Sequence, residues 1–253
     1  MIYPIQFQSV TYQYSPNADV LREISLQIAE GSVSLLIGQN GAGKSTLLRL
    51  LNGILRPTVG EVFANGLRTS EFSTARLARE VSVTFQNPGN QIFESTVEKE
   101  IAFGPRNLRL ANKDTIVRQA AAMFGLTDAL ASNPYDLSPS ARKLLTIASA
   151  VAMQTHTLAF DEPSAGLSHP ERIKLIQALS ELRRIGRTLI IITHDVDLFF
   201  PLVDRVLLLA RGTIGFDGSV EEFISHQRSL RRLGAELPLA MRVERMLKEY
   251  NAS

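Results

Sequence analysis

The stretch of sequence that decides the fold reads Gly38-Gln39-Asn40-Gly41-Ala42-Gly43-Lys44-Ser45. It matches the phosphate-loop pattern Gly-x-x-x-x-Gly-Lys-Ser/Thr at every fixed position. An apolar, β-prone run over residues 33–37 comes before it, and a helix-forming segment over residues 45–51 comes after it. A phosphate binds well between a strand and a helix N-terminus, because backbone N–H groups and the helix dipole converge there. The sequence therefore predicts a nucleoside triphosphate site.

The residue types in this loop suit phosphate chemistry. Its glycines allow N–H groups to approach phosphate oxygens closely, Lys44 can reach the terminal phosphates, and the Ser45 hydroxyl can ligate magnesium. A glycine-rich turn with an incidental lysine is the alternative, and the strand and helix on the two sides argue against it. The predicted nucleotide-binding residues of the loop are Gly38, Asn40, Gly41, Ala42, Gly43, Lys44, Ser45 and Thr46.

Length and composition restrict the class of protein. The chain has 253 residues, enough for one large domain with appendages but not for a second full catalytic domain. Lys and Arg total 27 against 25 Asp and Glu, and this small cationic excess does not indicate nucleic-acid binding. No apolar run approaches the roughly 18 residues that span a bilayer, so we expect any membrane role to be peripheral. The absence of Cys excludes disulfides and thiolate metal sites.

Strand-like patterns fall into two groups along the chain. Two β-rich segments near the start and a glycine-bounded hairpin pattern predict an antiparallel subdomain. Later, two apolar runs separated by an amphipathic helix give the β-α-β rhythm of a parallel sheet, and two further strands follow. The first group covers residues 5–13, 20–28 and 60–66; the second covers strands at 157–160, 188–192, 206–209 and 213–216, with the helix at 171–184.

A mainly helical stretch separates the two groups. Residues 96–131 carry a helical pattern with breaks expected at Gly104-Pro105 and at Gly125, and the helical lobe as a whole is expected to cover about residues 96–153. The tail from Ser219 is helical in pattern and rich in Arg. We therefore expect a main domain over residues 1–226 and a small helical C-terminal extension over residues 227–253.

Two adjacent carboxylates, Asp161 and Glu162, follow the strand at residues 157–160. Successive side chains at a strand end point in different directions, so one can bind magnesium while the other faces the attacking water. We expect Asp161 to hold the metal and Glu162 to act as general base toward a water that attacks the terminal phosphate. His194, at another strand end, is placed to hydrogen-bond that phosphate, and a purely structural role is its alternative.

With these motifs in this order, the chain resembles the nucleotide-binding domains of ATP-binding-cassette (ABC) proteins over nearly its whole length. The resemblance implies an α/β fold, a P-loop NTPase cassette with a parallel core sheet, an antiparallel β subdomain and a helical subdomain, which hydrolyses ATP with Mg²⁺. It implies that Tyr14 stacks on adenine, that Gln86 contacts magnesium together with Ser45 and Asp161, and that His194 is the switch histidine. Taken alone, Tyr14 could equally be a half-buried strand residue and Gln86 a turn residue.

The signature motif of that family, normally Leu-Ser-Gly-Gly-Gln, is replaced here by Leu137-Ser138-Pro139-Ser140-Ala141, which we call the signature segment. In ABC dimers the motif of one subunit closes over ATP held by the other. Pro139 has no N–H to offer, and Ser140 and Ala141 add side chains where close backbone approach is needed. Ser138 as N-cap with Pro139 behind it is nevertheless a good helix start, so the change affects chemistry more than architecture.

A second departure is Ser168, which stands where the dimer-contacting loop of the family usually carries Asp. Both departures belong to the half of the site that one subunit donates to its partner. This asymmetry predicts a heterodimer with a paralogue that has an intact signature, and a slow homodimer is the alternative. The half that this chain keeps is complete, with Lys44, Gln86, Asp161, Glu162 and His194 all present.

Residues 85–105 resemble, more narrowly, the ATPase subunits of energy-coupling-factor importers, which take up vitamins or transition-metal ions. That resemblance implies a helix after Gln86 that docks an Arg-bearing helix of a transmembrane subunit, at the cytoplasmic face of the cell membrane. Gly89 departs from the Asp that the family often has, and residues 234–240 resemble the family's tails more loosely. The expected docking surface is an acidic groove formed by Asn90, Gln91, Glu94, Glu98 and Glu100. Without the resemblance, these acidic residues merely favour a helix dipole.

Other classes of protein fit the sequence less well. An ABC ATPase that acts on DNA would carry a long coiled coil, and one associated with translation would carry two cassettes. A small-molecule kinase would not need Gln86, Ser138 and His194 in series. A non-hydrolysing regulatory cassette that acts through ATP-dependent dimerisation is the remaining alternative, and Glu162 argues against it. The transported substrate is decided by a membrane subunit, so this chain does not reveal it.

Overall fold

The computed structural model describes residues 2–16, 18–226, 230 and 238. Within that part the chain forms ten strands and eight α-helices. In chain order they are β1 Ile5–Gln13, β2 Asp19–Ile28, β3 Val33–Ile37, α1 Lys44–Leu51, β4 Val59–Ala64, β5 Leu67–Arg68, α2 Thr74–Leu77, β6 Val81–Thr84, α3 Val97–Leu108, α4 Lys113–Met123, α5 Pro139–Ala152, β7 Thr157–Asp161, α6 His169–Arg184, β8 Thr188–Ile192, α7 Val196–Phe199, β9 Arg205–Ala210, β10 Thr213–Ser219 and α8 Val220–Ser225.

A six-stranded sheet in the order β10-β9-β3-β8-β7-β6 forms the centre of the molecule. Its five strands from β9 to β6 pair in parallel, and β10 pairs with β9 antiparallel. Every residue of β3, β7 and β8 is buried, as expected for a parallel sheet covered on both faces. The parallel core sheet is therefore confirmed, and its carboxyl ends bring the phosphate loop together with the residues that follow β7 and β8.

A second sheet, in the order β2-β1-β4-β5, is antiparallel, which confirms the predicted antiparallel subdomain. It packs through Phe7 and Ile24 onto α1 and onto one face of the parallel sheet. The parallel sheet has a hydrophobic core on each of its faces. Successive side chains of β3 point alternately into one core and the other, because side chains alternate across a strand. Leu36 belongs to the core shared with the antiparallel sheet, and Leu35 to the core shared with α3, α4, α5 and α6.

Helices α3, α4 and α5 form the helical lobe, but the break expected at Gly104-Pro105 is wrong. Both residues lie inside α3, which ends at Arg109 in a left-handed conformation (φ 55°). Close packing favours glycine at 104, because a Cβ there would lie 2.5 Å from Cγ of Met153, the C-cap of α5, and one of the two would have to move. The break at Gly125 is confirmed: α4 ends just before it, and Gly125 has φ 70°.

The tail and the surface add two observations. The tail begins with the short helix α8, and the extension predicted over residues 227–253, with the tail-like residues 234–240, lies almost wholly outside the described residues. In the part of the chain that the structure describes, none of the helices is long and apolar enough to cross a membrane.

Candidate functional site

The phosphate loop connects β3 to α1 at the carboxyl edge of the parallel sheet. Close approach of backbone explains its first glycine, because a Cβ on Gly38 would lie 2.2 Å from the carbonyl oxygen of Leu209. Gly43 caps α1 with φ 107°, and a Cβ there would meet the Leu21 side chain at 2.7 Å. These contacts hold the loop against β9 and β2, with the N-terminus of α1 open toward a phosphate.

Lys44 is buried beneath this loop. Its Nζ donates hydrogen bonds to the carbonyl oxygens of Gly38 at 2.7 Å and Gln39 at 3.0 Å, so the loop curls around the amine. Burial lowers the pKa of Lys44, while the carboxylates of Glu162 and Asp161 act in the opposite direction. The amine is therefore positioned and dehydrated before any phosphate arrives, which strengthens its attraction for one.

Ser45 and Asp161 meet across the cleft at the end of β7. The Ser45 Oγ donates to Asp161 Oδ2 at 2.7 Å, and Asp161 is buried. Gln86 lines the same cleft, and its side chain carries an amide oxygen. A hydroxyl, a carboxylate and an amide oxygen are hard donors of the type that Mg²⁺ prefers, so these residues fit a magnesium ion.

Glu162 is held in an unusual backbone conformation, with φ 51°. Its N–H donates to the carbonyl of Ile192 at 2.9 Å, and its Oε2 accepts from Thr193 Oγ1 and from the backbone N–H of His194. The other oxygen, Oε1, is buried and has no hydrogen-bond partner within the described residues; it lies 3.5 Å from His194 Nε2. One carboxylate oxygen is thus anchored and the other is left to accept a proton.

The His194 ring connects this carboxylate to the phosphate loop. Its Nε2 lies 3.0 Å from Oδ1 of Asn40, within hydrogen-bond distance, and its side chain is about half exposed. The segments that follow β3, β7 and β8 thus each contribute one side chain to a row of neighbours. These are Asn40, Glu162 and His194, with the His194 ring in the middle. A histidine in this cleft is able to hydrogen-bond a phosphate.

Tyr14 follows the end of β1 and has an exposed ring, with a relative exposure of 54%. Its hydroxyl lies 3.2 Å from Oγ1 of Thr46, and the ring of Tyr12 contacts it edge-on, with centroids 5.0 Å apart. Tyr14 therefore lies just beyond the strand and is about half exposed. The ring is supported by Tyr12 and Thr46, and an exposed aromatic ring of this kind is able to stack on a base.

These side chains enclose a cleft of about 620 Å³. Of the sequence-predicted site residues, Gly38 and Ala42 are buried behind the loop and do not line it. The others are brought together, and Val20 and Ala165 complete the walls. The lining residues are Tyr14, Val20, Asn40, Gly41, Gly43, Lys44, Ser45, Thr46, Gln86, Asp161, Glu162, Ala165 and His194.

Sequence reasoning missed Lys143, which lies on α5 with only 2% of its surface exposed. Its Nζ donates to the carbonyl oxygens of Phe85, Gln86 and Asp161 at 3.2, 3.0 and 3.1 Å. Burial lowers the pKa of this amine to about 8, although the carboxylates of Asp161 and Glu162 act to raise it. Lys143 therefore ties the helical lobe to both the Gln86 turn and the strand end at Asp161. A lysine in an amphipathic helix gives no sequence signal of such a role.

The signature segment starts α5 as predicted. Ser138 is the N-cap, its Oγ accepts from the N–H of Ala141 at 3.1 Å, and Pro139 is the first helical residue. None of the residues 137–141 lines the cleft of their own chain. The motif is exposed at Ser138 and Pro139, where a second subunit could meet it.

The residues expected to form an acidic docking groove lie beside a groove of a different character. A largely apolar groove of about 520 Å³ lies between α2, α3 and α5, and only Gln91 and Glu100 of the five expected residues line it. The buried Glu100 carboxylate accepts the N–H groups of Phe93 and Glu94, and Glu94 pairs with Arg106 at 2.6 Å. Glu100 thus holds the turn before α3 and Glu94 is paired with an arginine, so the groove has no acidic lining of the kind expected. The apolar lining includes Ala75, Ala78, Val83, Phe93, Phe103, Leu108, Ala150 and Met153.

The two sheets, the helical lobe and the cleft define a P-loop cassette that binds and hydrolyses ATP. The sequence model of the family described as ABC transporter matches residues 21–165, more than half of the chain. The chain therefore belongs to the ABC transporter family, as one of its ATP-binding, ATP-hydrolysing subunits.

Individual relatives agree with this assignment. An ABC transporter ATP-binding protein of Pyrococcus horikoshii is 41% identical over 221 residues, covering 87% of this chain and 85% of the relative. The energy-coupling factor transporter ATP-binding protein EcfA of Methanocaldococcus jannaschii is 35% identical over 255 residues, covering 99% and 91%. The structure of cbiO1 from Clostridium perfringens, part of the ABC transporter complex cbiONQ, superposes with a TM-score of 0.80 at 28% identity, covering 97% of this chain and 100% of that one. The chain is thus similar to ATPase subunits of the energy-coupling-factor type.

Proposed function

We propose that this chain hydrolyses ATP with magnesium at the cytoplasmic face of the cell membrane, where it powers an importer of the energy-coupling-factor type. The observation that carries the catalytic assignment is Glu162 itself, which lines the same cleft as Lys44 and His194 and whose Oε1 has no hydrogen-bond partner within the described residues. A carboxylate oxygen that accepts no hydrogen bond from the protein has a lone pair free for the proton of an attacking water.

The proposed reaction assigns one task to each side chain. Glu162 accepts the proton of a water whose oxygen forms a bond to the terminal phosphorus, while the bond from that phosphorus to the bridging oxygen breaks and ADP leaves. Lys44 and His194 hydrogen-bond the phosphate oxygens, where negative charge accumulates. Magnesium, when bound by Ser45, Gln86 and Asp161, neutralises phosphate charge. Tyr14 stacks on the adenine ring and fixes the other end of the nucleotide.

Two variants test this assignment in the protein assembled with its partners. Lys44→Ala should weaken ATP binding, whereas Glu162→Gln should bind ATP normally and hydrolyse it at least roughly tenfold to a hundredfold more slowly, the usual effect of losing a general base. The matched control is Glu181→Gln, which changes an exposed carboxylate paired with Arg184 on α6 and should leave both properties unchanged. The measurements are nucleotide titration and phosphate release. Equal hydrolysis by Glu162→Gln and the parental protein would favour the alternative, a non-hydrolysing cassette that acts through ATP-dependent dimerisation.

The proposed membrane partner is a transmembrane coupling subunit. The segment after Gln86, with Asn90, Gln91, Glu94 and Glu98, leads directly to the apolar groove beside α3. Phe93 and Phe103 are 61% and 40% exposed and contact each other edge-on, with centroids 4.5 Å apart. An exposed aromatic pair over an apolar groove suits an amphipathic helix whose apolar face enters the groove and whose Arg meets the acidic residues outside it.

The proposed second partner is a paralogous ATPase subunit. Pro139 offers no N–H, and the Ser140 side chain stands where close approach to a phosphate is needed. The cleft of this chain contains the complete set of groups that a cassette keeps for itself. A partner with an intact signature would complete that cleft, whereas a second copy of this chain would not.

A further inference from the structure

Glu171 connects the two segments that depart from the family pattern. It lies in the first turn of α6, and its Oε1 accepts a hydrogen bond from Ser140 Oγ at 2.7 Å. Its Oε2 accepts from the backbone N–H of Ser168 at 2.7 Å and from Ser168 Oγ at 2.6 Å. Signature segment and dimer-contacting loop are therefore tied to one carboxylate.

The protonation state of Glu171 fixes the direction of these bonds. Burial would raise the pKa of this carboxyl, but the hydrogen bonds from Ser168 and Ser140 outweigh burial and hold the pKa below its ordinary value. The group is ionised at neutral pH and can only accept, so both serines must donate to it. Because the single hydroxyl proton of Ser140 is used in this bond, Ser140 has none left to donate elsewhere.

The neighbouring Ser138 hydroxyl then has only one orientation in this network. Its oxygen lies 3.0 Å from Ser140 Oγ, and since Ser140 has already donated its proton, Ser138 must be the donor. Its oxygen also accepts the N–H of Ala141. The Ser138 proton is thus directed inward, along the path Ser138 to Ser140 to Glu171, instead of outward from the exposed start of α5.

We propose that Glu171 is a positioning residue that, through Ser140, keeps the Ser138 hydroxyl from donating to a phosphate held by a second subunit. We call Ser138, Ser140, Glu171 and Ser168 the serine latch. This proposal rests on the proposed function, in which the signature segment faces ATP on a partner. Ser138 and Ser168 are exposed and Ser140 is partly exposed, so water or a partner can open the latch. Ser140 and Ser168 therefore act together. The Glu171 carboxylate that holds the loop at Ser168 also, through Ser140, keeps the Ser138 hydroxyl from donating outward.

The test compares phosphate release by the isolated, full-length chain at saturating ATP. Ser140→Gly removes the middle of the latch, frees the Ser138 proton, and should raise the rate about two- to tenfold, the effect of one hydrogen bond. The ATP affinity should stay unchanged, because the chain holds its own ATP with the phosphate loop. Ser140→Thr keeps a hydroxyl, so its rate should rise less than that of Ser140→Gly. Ser168→Ala removes a hydrogen bond only from Oε2 of Glu171, so its rate should also rise less. Ser180→Ala, an exposed serine on α6, is the control for unrelated hydroxyl loss.

The decisive variant combines Ser138→Ala with Ser140→Gly. If the gain acts through the Ser138 hydroxyl, the double variant should hydrolyse no faster than Ser138→Ala alone. A gain that persists in the double variant, or equal rates for Ser140→Gly and the parental chain, would overturn the latch. If Lys44→Ala releases phosphate as fast as the parental chain, the proposed function is contradicted instead of the latch. The latch is then tested by urea denaturation. Ser140→Ala and Glu171→Gln should show non-additive effects on stability, and additive effects would overturn it.

Discussion

Lys143 shows how one buried cation joins separate parts of the cassette. An ammonium group has three N–H donors, and here each one has a carbonyl acceptor: Phe85, Gln86 and Asp161. Removing the amine would leave three carbonyl groups that still need donors. The charge is nevertheless costly in this position, since burial brings the pKa down to about 8.

This cost predicts a pH dependence of folding stability. The folded state releases the Lys143 proton near pH 8, while the unfolded chain keeps it up to the ordinary lysine value of 10.5. Between those values the unfolded state binds more protons, so the free energy of unfolding should rise with pH, relative to Lys143→Met, by about 1 kcal/mol per pH unit. Urea denaturation of both proteins from about pH 7 to about pH 10 measures the difference. The exposed Lys113→Met is the control, and parallel profiles for the parental chain and Lys143→Met would contradict the prediction.

At the residue scale, the sequence predicts functional residues that lie in one contiguous motif or at the end of a strand. It does not predict residues whose contacts are made with distant parts of the chain. Residues 38–46 are contiguous, and Asp161, Glu162 and His194 stand at strand ends that the apolar runs mark. Thr193 and Lys143 act through distances between elements that no local pattern encodes. The buried carboxylate of Glu100 was misjudged for the same reason: a helix start rich in Glu indicates an exposed face, whereas the folded chain uses this group to satisfy two backbone N–H groups.

At the scale of elements, the packing of α3 against the end of α5 depends on the absence of a side chain at Gly104. Replacing a helix-interior glycine with alanine normally stabilises a protein by roughly 1 kcal/mol. Here the added methyl would meet Met153 Cγ at 2.5 Å, so Gly104→Ala should lower the free energy of unfolding by about 1 to 3 kcal/mol. In a Met153→Ala background the same change should cost much less. Chemical denaturation measures all four proteins, and equal costs in both backgrounds would show that close packing is not the reason for this glycine.

The apolar groove beside α3 makes a second prediction at this scale. Phe93→Ala combined with Phe103→Ala should detach the chain from membranes that contain its transmembrane subunit, as measured by flotation, without lowering its ATP affinity. Glu94→Lys with Glu98→Lys should weaken attachment more at low salt than at high salt, because these side chains attract the partner from outside the groove. Ile185→Ala removes an exposed apolar side chain elsewhere and is the control. Flotation of the Phe93/Phe103 variant at the parental level would show that the groove is not the docking surface.

The elements themselves were predicted where their patterns are long. The strands at 5–13 and 188–192 were placed correctly, since β-branched and apolar residues run through them. Strand β6 and helix α2 were not identified, because each has four residues and β6 carries Ser82 and Thr84, which are polar although buried. The position of β6 follows from the parallel sheet, where it forms the edge strand next to β7.

At the scale of the whole molecule, the ATP cleft and the signature segment belong to separate surfaces of one chain. The strand ends and the phosphate loop build the cleft, while α5 presents Ser138 outside it. ABC cassettes act as dimers, and in the proposed dimer the start of α5 in one subunit completes the cleft of the other. In the proposed dimer, a chain with a complete cleft and an altered signature segment is an unequal partner, because an intact signature completes its own cleft while its signature segment serves the other cleft less well.

This inequality predicts how the isolated chain and the mixed pair will behave. Alone, the chain should bind ATP and hydrolyse it slowly, because Pro139 supplies no N–H to the facing phosphate, and a paralogue with Leu-Ser-Gly-Gly-Gln should restore turnover. Pro139→Gly, Ser140→Gly and Ala141→Gln together should also accelerate the isolated chain. One regained hydrogen bond to a charged phosphate is worth about 1.5 to 3 kcal/mol, so the increase should be about tenfold or more. Steady-state phosphate release under identical conditions compares the chain, the triple variant and the mixture. Brisk turnover by the unmodified chain, with no gain in either comparison, would show that its own signature segment is competent and that a homodimer suffices.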